Sequence, residues 1–398
     1  MRIRSAVATA WTTGMAIATA AALLGPVGTA QATPSANGLA HRSHHRVCAE
    51  APVGYASCLV EVQTDSSGTP LATTAPYGLR PVDIRAAYAL TAATSGHRTV
   101  AIVNAYNDPT AESDLAVYRR TFGLPVCSTA NGCFHKVNQS GGTTMPATNG
   151  GWAQEISLDV DMISATCPDC KILLVEASSS SFTNLAAGVN YAASRGVAAI
   201  SNSYGGTDSV SNRTAYNHPG IAITASSGDA GYGVSAPASF GTVISVGGTS
   251  LRKAANTRGW TETAWSGAGS GCSAQNTRPS WQNSTTTKCA TRALTDVSAV
   301  ADPQTPVAVY DTTLSGTAAT GWVGAGGTSA SSPIIASVYA MSKNTAGYPA
   351  SYTWAHRTLL NDVVSGSNGS CATTIWCHAA AGWDGPTGLG TPRGIGAF

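Results

Sequence analysis

Short apolar runs alternate with longer segments of helical periodicity along the chain from Tyr77 onwards. The runs are typical of buried strands and cover Thr99–Ala105, Lys171–Ala177, Val197–Ser203, Ile221–Ala225, Thr242–Gly247 and Val307–Tyr310. The segments of helical periodicity are Val82–Leu90, Pro109–Phe122, Trp152–Ala165, Phe182–Arg195 and Ser331–Ser342. Because such alternation builds βαβ units, we predict an α/β fold with a mostly parallel, doubly wound sheet flanked by helices.

The first 76 residues have a different character. Two arginines precede the apolar stretch Met15–Leu24, and Ala30-Gln31-Ala32 follows a Gly-Pro break. This order predicts a secretory signal peptide over residues 1–32, and its ten-residue apolar stretch is too short to span a bilayer. Residues 33–76 lack hydrophobic periodicity and are interpreted as a short leader with one disulfide-closed hairpin. We expect residues 77–398, which contain no visible linker, to form one domain.

Charge and composition exclude several classes of function. Only 11% of the residues are charged, and the formal charge of +2 falls to zero once the two signal-peptide arginines are removed. A chain without a basic field is a poor ligand for nucleic acid or anionic lipid. We therefore expect a secreted monomer that has no nucleic-acid partner and no membrane attachment after signal cleavage.

The ten cysteines indicate an oxidising compartment. Short loops favour local pairing, which predicts the disulfides Cys48–Cys58, Cys127–Cys133, Cys167–Cys170, Cys272–Cys289 and Cys371–Cys377. Cys167 and Cys170 also form a Cys-x-x-Cys motif, which occurs in redox and zinc sites. No second such motif and no nearby histidine accompany it, so a structural disulfide is favoured.

A glycine-rich stretch near the C-terminal end carries the first candidate for chemistry. In Gly324–Pro333, glycines and small residues surround Ser329, and an apolar run follows. This pattern predicts a tight loop that places Ser329 at a helix N-terminus, with Pro333 in the first turn. The positive end of a helix favours an oxyanion, which makes Ser329 a candidate nucleophile. The alternative is a buried glycine-rich turn.

A nucleophilic serine needs a base, and the histidines do not supply one. None of them lies in a His-Gly-Thr context at the start of an apolar helix, and Asn104 stands at the strand end where a subtilisin-like enzyme presents its aspartate. Glu155 and Asp159 are a better pair, because residues four apart share a helix face. Their face is the apolar one, whereas we expect Asp161 to be solvated. Two buried like charges share a proton, which makes the pair a site candidate.

Two further stretches follow predicted strands. Asp229 lies in Ser-Ser-Gly-Asp-Ala-Gly, beyond the carboxyl end of a strand, where open α/β sheets place their sites. The segment Ser203-Tyr204-Gly205-Gly206 also ends a strand, and its glycines expose backbone for pairing with an extended peptide. A second Gly-Gly-Thr-Ser, ending at Ser250, lacks the small residues and the proline that follow Ser329. We interpret Ser250 as an ordinary turn residue.

Taken together, these motifs resemble the sedolisins, the serine-carboxyl peptidases with a subtilisin-like fold. The resemblance rests on Gly326–Pro333, on the Glu-x-x-x-Asp helix, on Ser203–Gly206 and on Ser227–Asp229, in the order of the family. It implies that Ser329 is the nucleophile and Glu155 its general base. It also implies that Asp159 orients Glu155, that Asp229 forms an oxyanion hole with the Ser329 N–H, and that Ser203, Tyr204, Gly205 and Gly206 bind substrate.

The resemblance extends to a calcium loop. It implies one structural Ca²⁺ held by the side chains of Asp362 and Asp384 and by the carbonyls of Val363, Ala380 and Gly382. Two features depart from the family: the leader is much shorter than the usual folded propeptide, and Gly326 stands where the family often has serine.

The favoured function is a secreted endopeptidase that cleaves polypeptides by serine-carboxyl chemistry. A carboxylate base and a protonated Asp229 both favour acidic conditions. Two alternatives stay open at this point. One is a tripeptidyl-type exopeptidase with the same chemistry, and the other is a catalytically silent binding protein on the peptidase fold.

Overall fold

The computed structural model describes residues 43–313, 321–344 and 347–398. The predicted signal peptide, residues 1–32, and the first part of the leader lie outside these ranges. No helix in the described part is long and apolar enough to cross a membrane.

The secondary structure agrees with the predicted alternation of strands and helices. The strands β1–β20 are, in order, His44–Arg46, Ser57–Cys58, Glu61–Gln63, Ala72–Thr73, Thr99–Ala105, Phe134–Asn138, Lys171–Ala177, Ala199–Asn202, Tyr204–Thr207, Ala222–Ser226, Ser235–Ala236, Ile244–Lys253, Trp260–Ala264, Gly271–Cys272, Ala293–Leu294, Val297–Val300, Val307–Asp311, Gly321–Gly326, Leu360–Asn361 and Thr391–Pro392. The helices α1–α7 are Pro81–Ala87, Ala111–Thr121, Gly150–Thr166, Phe182–Ser194, Ser284–Thr287, Thr328–Ser342 and Pro349–Ala355.

The main sheet has eight strands in the order β13-β12-β10-β8-β5-β7-β6, with β16 also paired to β12. All its pairs are parallel except β12 with β13, which confirms the predicted mostly parallel α/β sheet. Val103 of β5 packs against Gly188 of α4, and the next residue, Asn104, donates a hydrogen bond to Asp159 of α3. Because successive strand residues point to opposite faces, α3 and α4 cover opposite faces of the sheet.

A second, antiparallel sheet lies beside the first. It joins β1, β3, β18 and β17 in this order, and β4 also pairs with β18. The strand predicted at Val307–Tyr310 is therefore present as β17, but it belongs to this sheet and not to the parallel one. Strands β1, β3 and β4 come from the segment interpreted as a leader. The leader thus pairs with β18, which runs directly into the loop before Ser329.

Helix α3 is buried on all sides, which corrects one prediction. Asp161 was expected to be solvated, but it is 1% exposed, and its Oδ2 accepts a hydrogen bond of 2.9 Å from the backbone N–H of Tyr310. The reason is that β17 covers the side of α3 on which the polar residues gather. That strand comes from about 150 residues further along the chain, and helical periodicity carries no information about it.

Helix α6 begins earlier than predicted. It starts at Thr328, so Pro333 lies inside the helix and not in its first turn. A proline at this position has no N–H to donate to the carbonyl four residues earlier, which is that of Ser329. The hydroxyl oxygen of Ser203 lies 3.4 Å from this carbonyl oxygen, but its proton is directed to Asp159.

All five predicted disulfides are confirmed. Cys167 and Cys170 form one of them, so the Cys-x-x-Cys motif is structural here. The bond between Cys48 and Cys58 closes the loop that connects β1 and β3 in the leader.

Candidate active site

Ser329 is the second residue of α6 and is fully buried. The loop before it turns at Gly327, whose φ of +92° is a conformation that favours glycine. A Cβ at this residue would also stand only 1.8 Å from the carbonyl oxygen of Leu59. The Ser329 hydroxyl donates a hydrogen bond of 3.2 Å to the carbonyl of Ser203. The structure therefore presents Ser329 at a helix N-terminus, as the sequence predicts.

Helix α3 packs against α6 and brings Glu155 beside the Ser329 hydroxyl, with Asp159 one helical turn further along. Both carboxyl groups are fully buried. Glu155 Oε2 accepts a hydrogen bond of 2.8 Å from the backbone N–H of Leu59. Asp159 accepts one of 2.5 Å from the Ser203 hydroxyl and one of 2.8 Å from the side-chain amide of Asn104. Asn104 stands at the strand end where a subtilisin-like enzyme presents an aspartate, and it is thus a direct partner of Asp159.

Burial dominates the acidity of this pair. It raises the pKa of Glu155 well above the usual value, and the charge of Asp159 raises it further. The nearby Ser329 hydroxyl and the Leu59 N–H act in the opposite direction. Burial also raises the pKa of Asp159, to about 8, against the hydrogen bonds from Ser203 and Asn104. Burial therefore keeps at least one proton on the pair near neutral pH.

Asp229 follows β10 and contacts Thr328, the residue directly before Ser329. Its Oδ1 accepts hydrogen bonds from the backbone N–H and the hydroxyl of Thr328, at 2.9 and 2.6 Å. Its Oδ2 has no hydrogen-bond partner among the described residues, and it lies 2.7 Å from the position that a Cβ of Gly327 would take. Burial raises the pKa of Asp229 to about 7. A neutral Asp229 can donate from Oδ2 towards the Leu59 carbonyl oxygen, which crowds the same position.

The glycine-containing segment Ser203–Gly206 forms one wall of the cleft. Its residues Tyr204 and Gly205 pair in antiparallel register with Cys58 and Ser57 of the leader. The backbone of this segment therefore binds an extended chain, as its glycines suggested, and that chain is part of the protein itself.

A fourth carboxyl group lies near the site and was missed by the sequence analysis. Glu61, in β3, is buried, and burial together with the charge of Asp229 raises its pKa to about 8. Its partners are His44, at 3.1 Å, and Arg46, at 3.7 Å. No sequence signal identified Glu61, because a three-residue strand in a polar leader shows no periodicity.

The second Gly-Gly-Thr-Ser motif is not part of the site. Ser250 lies within β12, which corrects the prediction of a turn, and its hydroxyl donates a short hydrogen bond to Asp302. The apolar run predicted to end at Gly247 continues as a strand because β13 pairs with its second half.

The residues of the expected calcium loop come together at the C-terminal end. Asp362 Oδ2 accepts a hydrogen bond of 2.8 Å from the N–H of Gly382, and Asp384 Oδ2 accepts one of 3.0 Å from the N–H of Ala380. Burial raises the pKa of Asp384 to about 7, and the charge of Asp362 contributes. Two carboxylates that repel each other in a folded loop would be stabilised by a bound cation. The described residues contain no cluster of three or more metal-binding side chains, so carbonyls and water would complete the shell.

Comparisons with known proteins agree with this geometry. The sequence profile described as "Subtilase family" matches residues 71–374. Kumamolisin of Bacillus sp. (strain MN-32) is 26% identical over 363 residues, covering 81% of this chain and 63% of kumamolisin. Tripeptidyl-peptidase SED1 of Arthroderma otae is 45% identical over 75 residues, covering 17% of this chain and 11% of that protein. The chain thus spans less than two thirds of the length of these curated relatives.

A solved structure shows the similarity of the fold. It is described as "Pseudomonas sedolisin (serine-carboxyl proteinase) complexed with two molecules of pseudo-iodotyrostatin" and is 26% identical, with a TM-score of 0.68. The match covers 80% of this chain and 96% of that chain. The predicted subtilisin-like fold is confirmed, and the relatives are serine-type peptidases.

Proposed function

The chain belongs to the subtilase family and, within it, to the sedolisins, and from this premise we propose that it is a serine-carboxyl endopeptidase that is secreted. One observation carries the proposal: Glu155 and Asp229 converge on the backbone of a single extended residue, Leu59, and the Ser329 hydroxyl lies beside Glu155. Secretion is supported by five disulfides and by the signal-peptide pattern of residues 1–32.

The first chemical step is acylation of Ser329. Its hydroxyl oxygen attacks the carbonyl carbon of the scissile bond while its proton passes to the Glu155 carboxylate. The carbon–nitrogen bond then breaks, and Glu155 returns the proton to the leaving amine. Water hydrolyses the resulting ester by the same steps in reverse, with Glu155 again accepting and returning a proton. Asp159, fixed by Ser203 and Asn104, orients Glu155.

The oxyanion of each tetrahedral intermediate is stabilised by the Ser329 N–H and by a protonated Asp229. This role sets the direction of the pH dependence. Asp229 donates only while it holds its proton, and its pKa is raised to about 7, so the rate falls as the pH rises through this value. We therefore propose a rate maximum on the acidic side of neutrality.

The cleft holds an extended chain on both sides of Leu59, which favours endopeptidase activity over removal of tripeptides. The chain that lies in it pairs with β9 on one side of Leu59 and with β18 on the other. Tyr55, four residues before Leu59, still contacts the peptidase domain through a bridge to Ser181. An exopeptidase that releases three residues would need a block at this point. The tripeptidyl-peptidase relative covers too small a part of the chain to reverse this preference.

The decisive test is hydrolysis of casein between pH 4 and 7 by the full chain and by Ser329→Ala. We expect the substitution to lower the rate of casein hydrolysis at least about a thousandfold, because Ser329 forms the covalent intermediate. Internal fragments of casein are expected among the products. Folded wild-type protein that cleaves neither casein nor short amino-terminal substrates would favour the silent binding protein, and release of tripeptides alone would favour the exopeptidase.

We also propose that Asp362 and Asp384 hold one structural Ca²⁺ together with the carbonyls of Val363, Ala380 and Gly382. The ion would neutralise the two carboxylates and clamp their loops. Chelation is expected to lower the melting temperature, and added Ca²⁺ to restore it, since saturation at a hundredfold excess over Kd contributes about 2.7 kcal/mol. Asp362→Asn should lose this response. A melting temperature that is indifferent to chelator in the wild type would contradict the proposal.

A further inference from the structure

The leader runs through the candidate active site as an extended chain. Residues 57 and 58 pair with Gly205 and Tyr204 of β9, and residues 61 and 62 pair with Gly326 and Ala325 of β18. Between these two paired stretches lie only Leu59 and Val60. We call residues 56–62 the cleft segment. Its two paired ends fix the register of the whole segment, because a shift by one residue would break both pairings.

Leu59 is the residue whose backbone meets the catalytic groups. Its N–H donates to Glu155 Oε2 at 2.8 Å. Its carbonyl oxygen crowds Gly327 at the point that Asp229 Oδ2 also approaches. The backbone of Leu59 therefore lies between Glu155, at its N–H, and Asp229, at its carbonyl oxygen.

We infer that the cleft segment occupies the site in the register of a substrate, and that the enzyme cleaves polypeptides after a leucine-like apolar residue. The inference rests on the proposed peptidase function and adds the substrate class to it. The Leu59–Val60 bond marks the site of cleavage, and the Leu59 side chain marks the pocket for the residue before it.

This pocket suits an uncharged side chain. Leu59 is 5% exposed, and its Cδ1 would lie 3.2 Å from a Cβ at Gly205, so the glycine leaves room for it. A cavity of about 230 Å³ adjoins Leu59. Among its described lining residues, the peptidase domain contributes mostly glycines and small side chains, which include Gly205, Gly206, Ser227, Gly228, Val234 and Ser235.

The charged residues around the cavity do not alter this preference. Arg46 and Glu50 belong to the leader, so they leave with it when a substrate takes its place. Asp229 is engaged by Thr328 through Oδ1, and its Oδ2 faces the carbonyl oxygen of residue 59 and not the side-chain pocket. A lysine or glutamate before the scissile bond would therefore be desolvated without a partner, at a cost of several kcal/mol.

The segment also competes with substrate. While the Leu59 N–H donates to Glu155, it occupies one oxygen of the base. A peptide substrate has to displace the cleft segment to bind. A substitution that weakens the hold of the pocket on residue 59 should therefore free the cleft.

The first experiment uses the full chain and the peptide Ala-Ser-Ala-Leu-Val-Glu-Val, in which alanine replaces the cysteine of the cleft segment. Three further peptides carry Asn, Lys or Glu in place of Leu. Asn has the same number and branching of side-chain heavy atoms as Leu but is polar, which makes it the matched control. We expect kcat/KM to fall at least about tenfold with Asn and at least about a hundredfold with Lys or Glu.

The second experiment needs no turnover. In the Ser329→Ala protein, Leu59→Asn should speed trypsin cleavage after Arg46 several-fold, because the leader detaches from the cleft. Val53→Asn is the matched control, since Val53 lies in the same leader and is largely exposed. Cleavage after Arg120, on α2, should stay unchanged in both and reports any general loss of stability.

The outcomes separate this inference from the proposed function. Cleavage that depends on Ser329 but follows Lys or Glu as readily as Leu overturns the inference and leaves the peptidase standing. Cleavage of casein without cleavage of the leucine peptide does the same, as does equal release of the leader by Leu59→Asn and Val53→Asn. Failure to cleave casein or any of the peptides overturns both.

Discussion

The two faces of α3 make an instructive contrast. On one face, Glu155 lies beside the Ser329 hydroxyl and Asp159 accepts the Ser203 hydroxyl, and on the other, Asp161 accepts the Tyr310 N–H of β17. All three carboxyl groups are buried, and burial raises the pKa of each. Burial and a perturbed pKa therefore do not distinguish the catalytic face from the structural one.

The two faces differ in the hydrogen-bond donor that each carboxyl group contacts. Asp161 accepts the backbone N–H of Tyr310, which stays in place as part of β17. Glu155 accepts the N–H of Leu59, which belongs to a displaceable segment, and its Oε1 has no hydrogen-bond partner among the described residues. A buried acid is able to act on a substrate only where part of its hydrogen-bonding capacity is left open.

Glu155→Gln tests this distinction with the largest expected effect. Glutamine keeps the shape and can still accept the Leu59 N–H, but it cannot take the proton of Ser329. We expect kcat to fall by about 10²–10⁴ while the unfolding transition changes little, as measured by casein hydrolysis and thermal melting. A loss of less than tenfold would remove Glu155 from the role of base.

Asp229 extends the contrast to an acid that works in its neutral form. Asp229→Ala should lower kcat by about 10²–10³, because one oxyanion donor is lost. Asp229→Asn keeps a donor that does not titrate. Since the pKa of Asp229 is raised to about 7, the wild-type rate should fall about tenfold per pH unit above this value, and the fall should be absent in the Asn variant. Identical pH profiles for the wild type and Asp229→Asn would contradict an oxyanion role.

The sequence was sufficient for the parts of the molecule with strong local patterns. Apolar runs identified the central strands such as β5 and β7, and the spacing of Glu155 and Asp159 placed both on one helix face. The order of the motifs then implied the partners of Ser329. These inferences depend on residues close together in sequence, where periodicity and helix geometry apply.

The parts that were missed depend on distant segments. Strand β17 covers the polar side of α3, so Asp161 is buried although its own neighbours indicated solvent. The leader enters the cleft as strands of two and three residues, too short for any periodic signal, and brings Glu61 beside Asp229. Asn104 became a partner of Asp159 only once β5 and α3 were packed together.

Asp161→Asn completes the contrast with the smallest expected effect on activity. The folded-state pKa of Asp161 is raised, so its protonated form stabilises the fold at low pH, and that contribution is lost as the pH rises above the usual aspartate range. Asparagine can still accept the Tyr310 N–H and does not titrate. Urea unfolding between pH 5 and 8 should therefore show a free energy of unfolding that depends less steeply on pH than in the wild type, by up to about 1.4 kcal/mol per pH unit. At the same time kcat/KM should stay within about twofold, since this carboxyl faces β17 and not Ser329. A loss of activity comparable to that of Glu155→Gln would mean that the two faces of α3 act together.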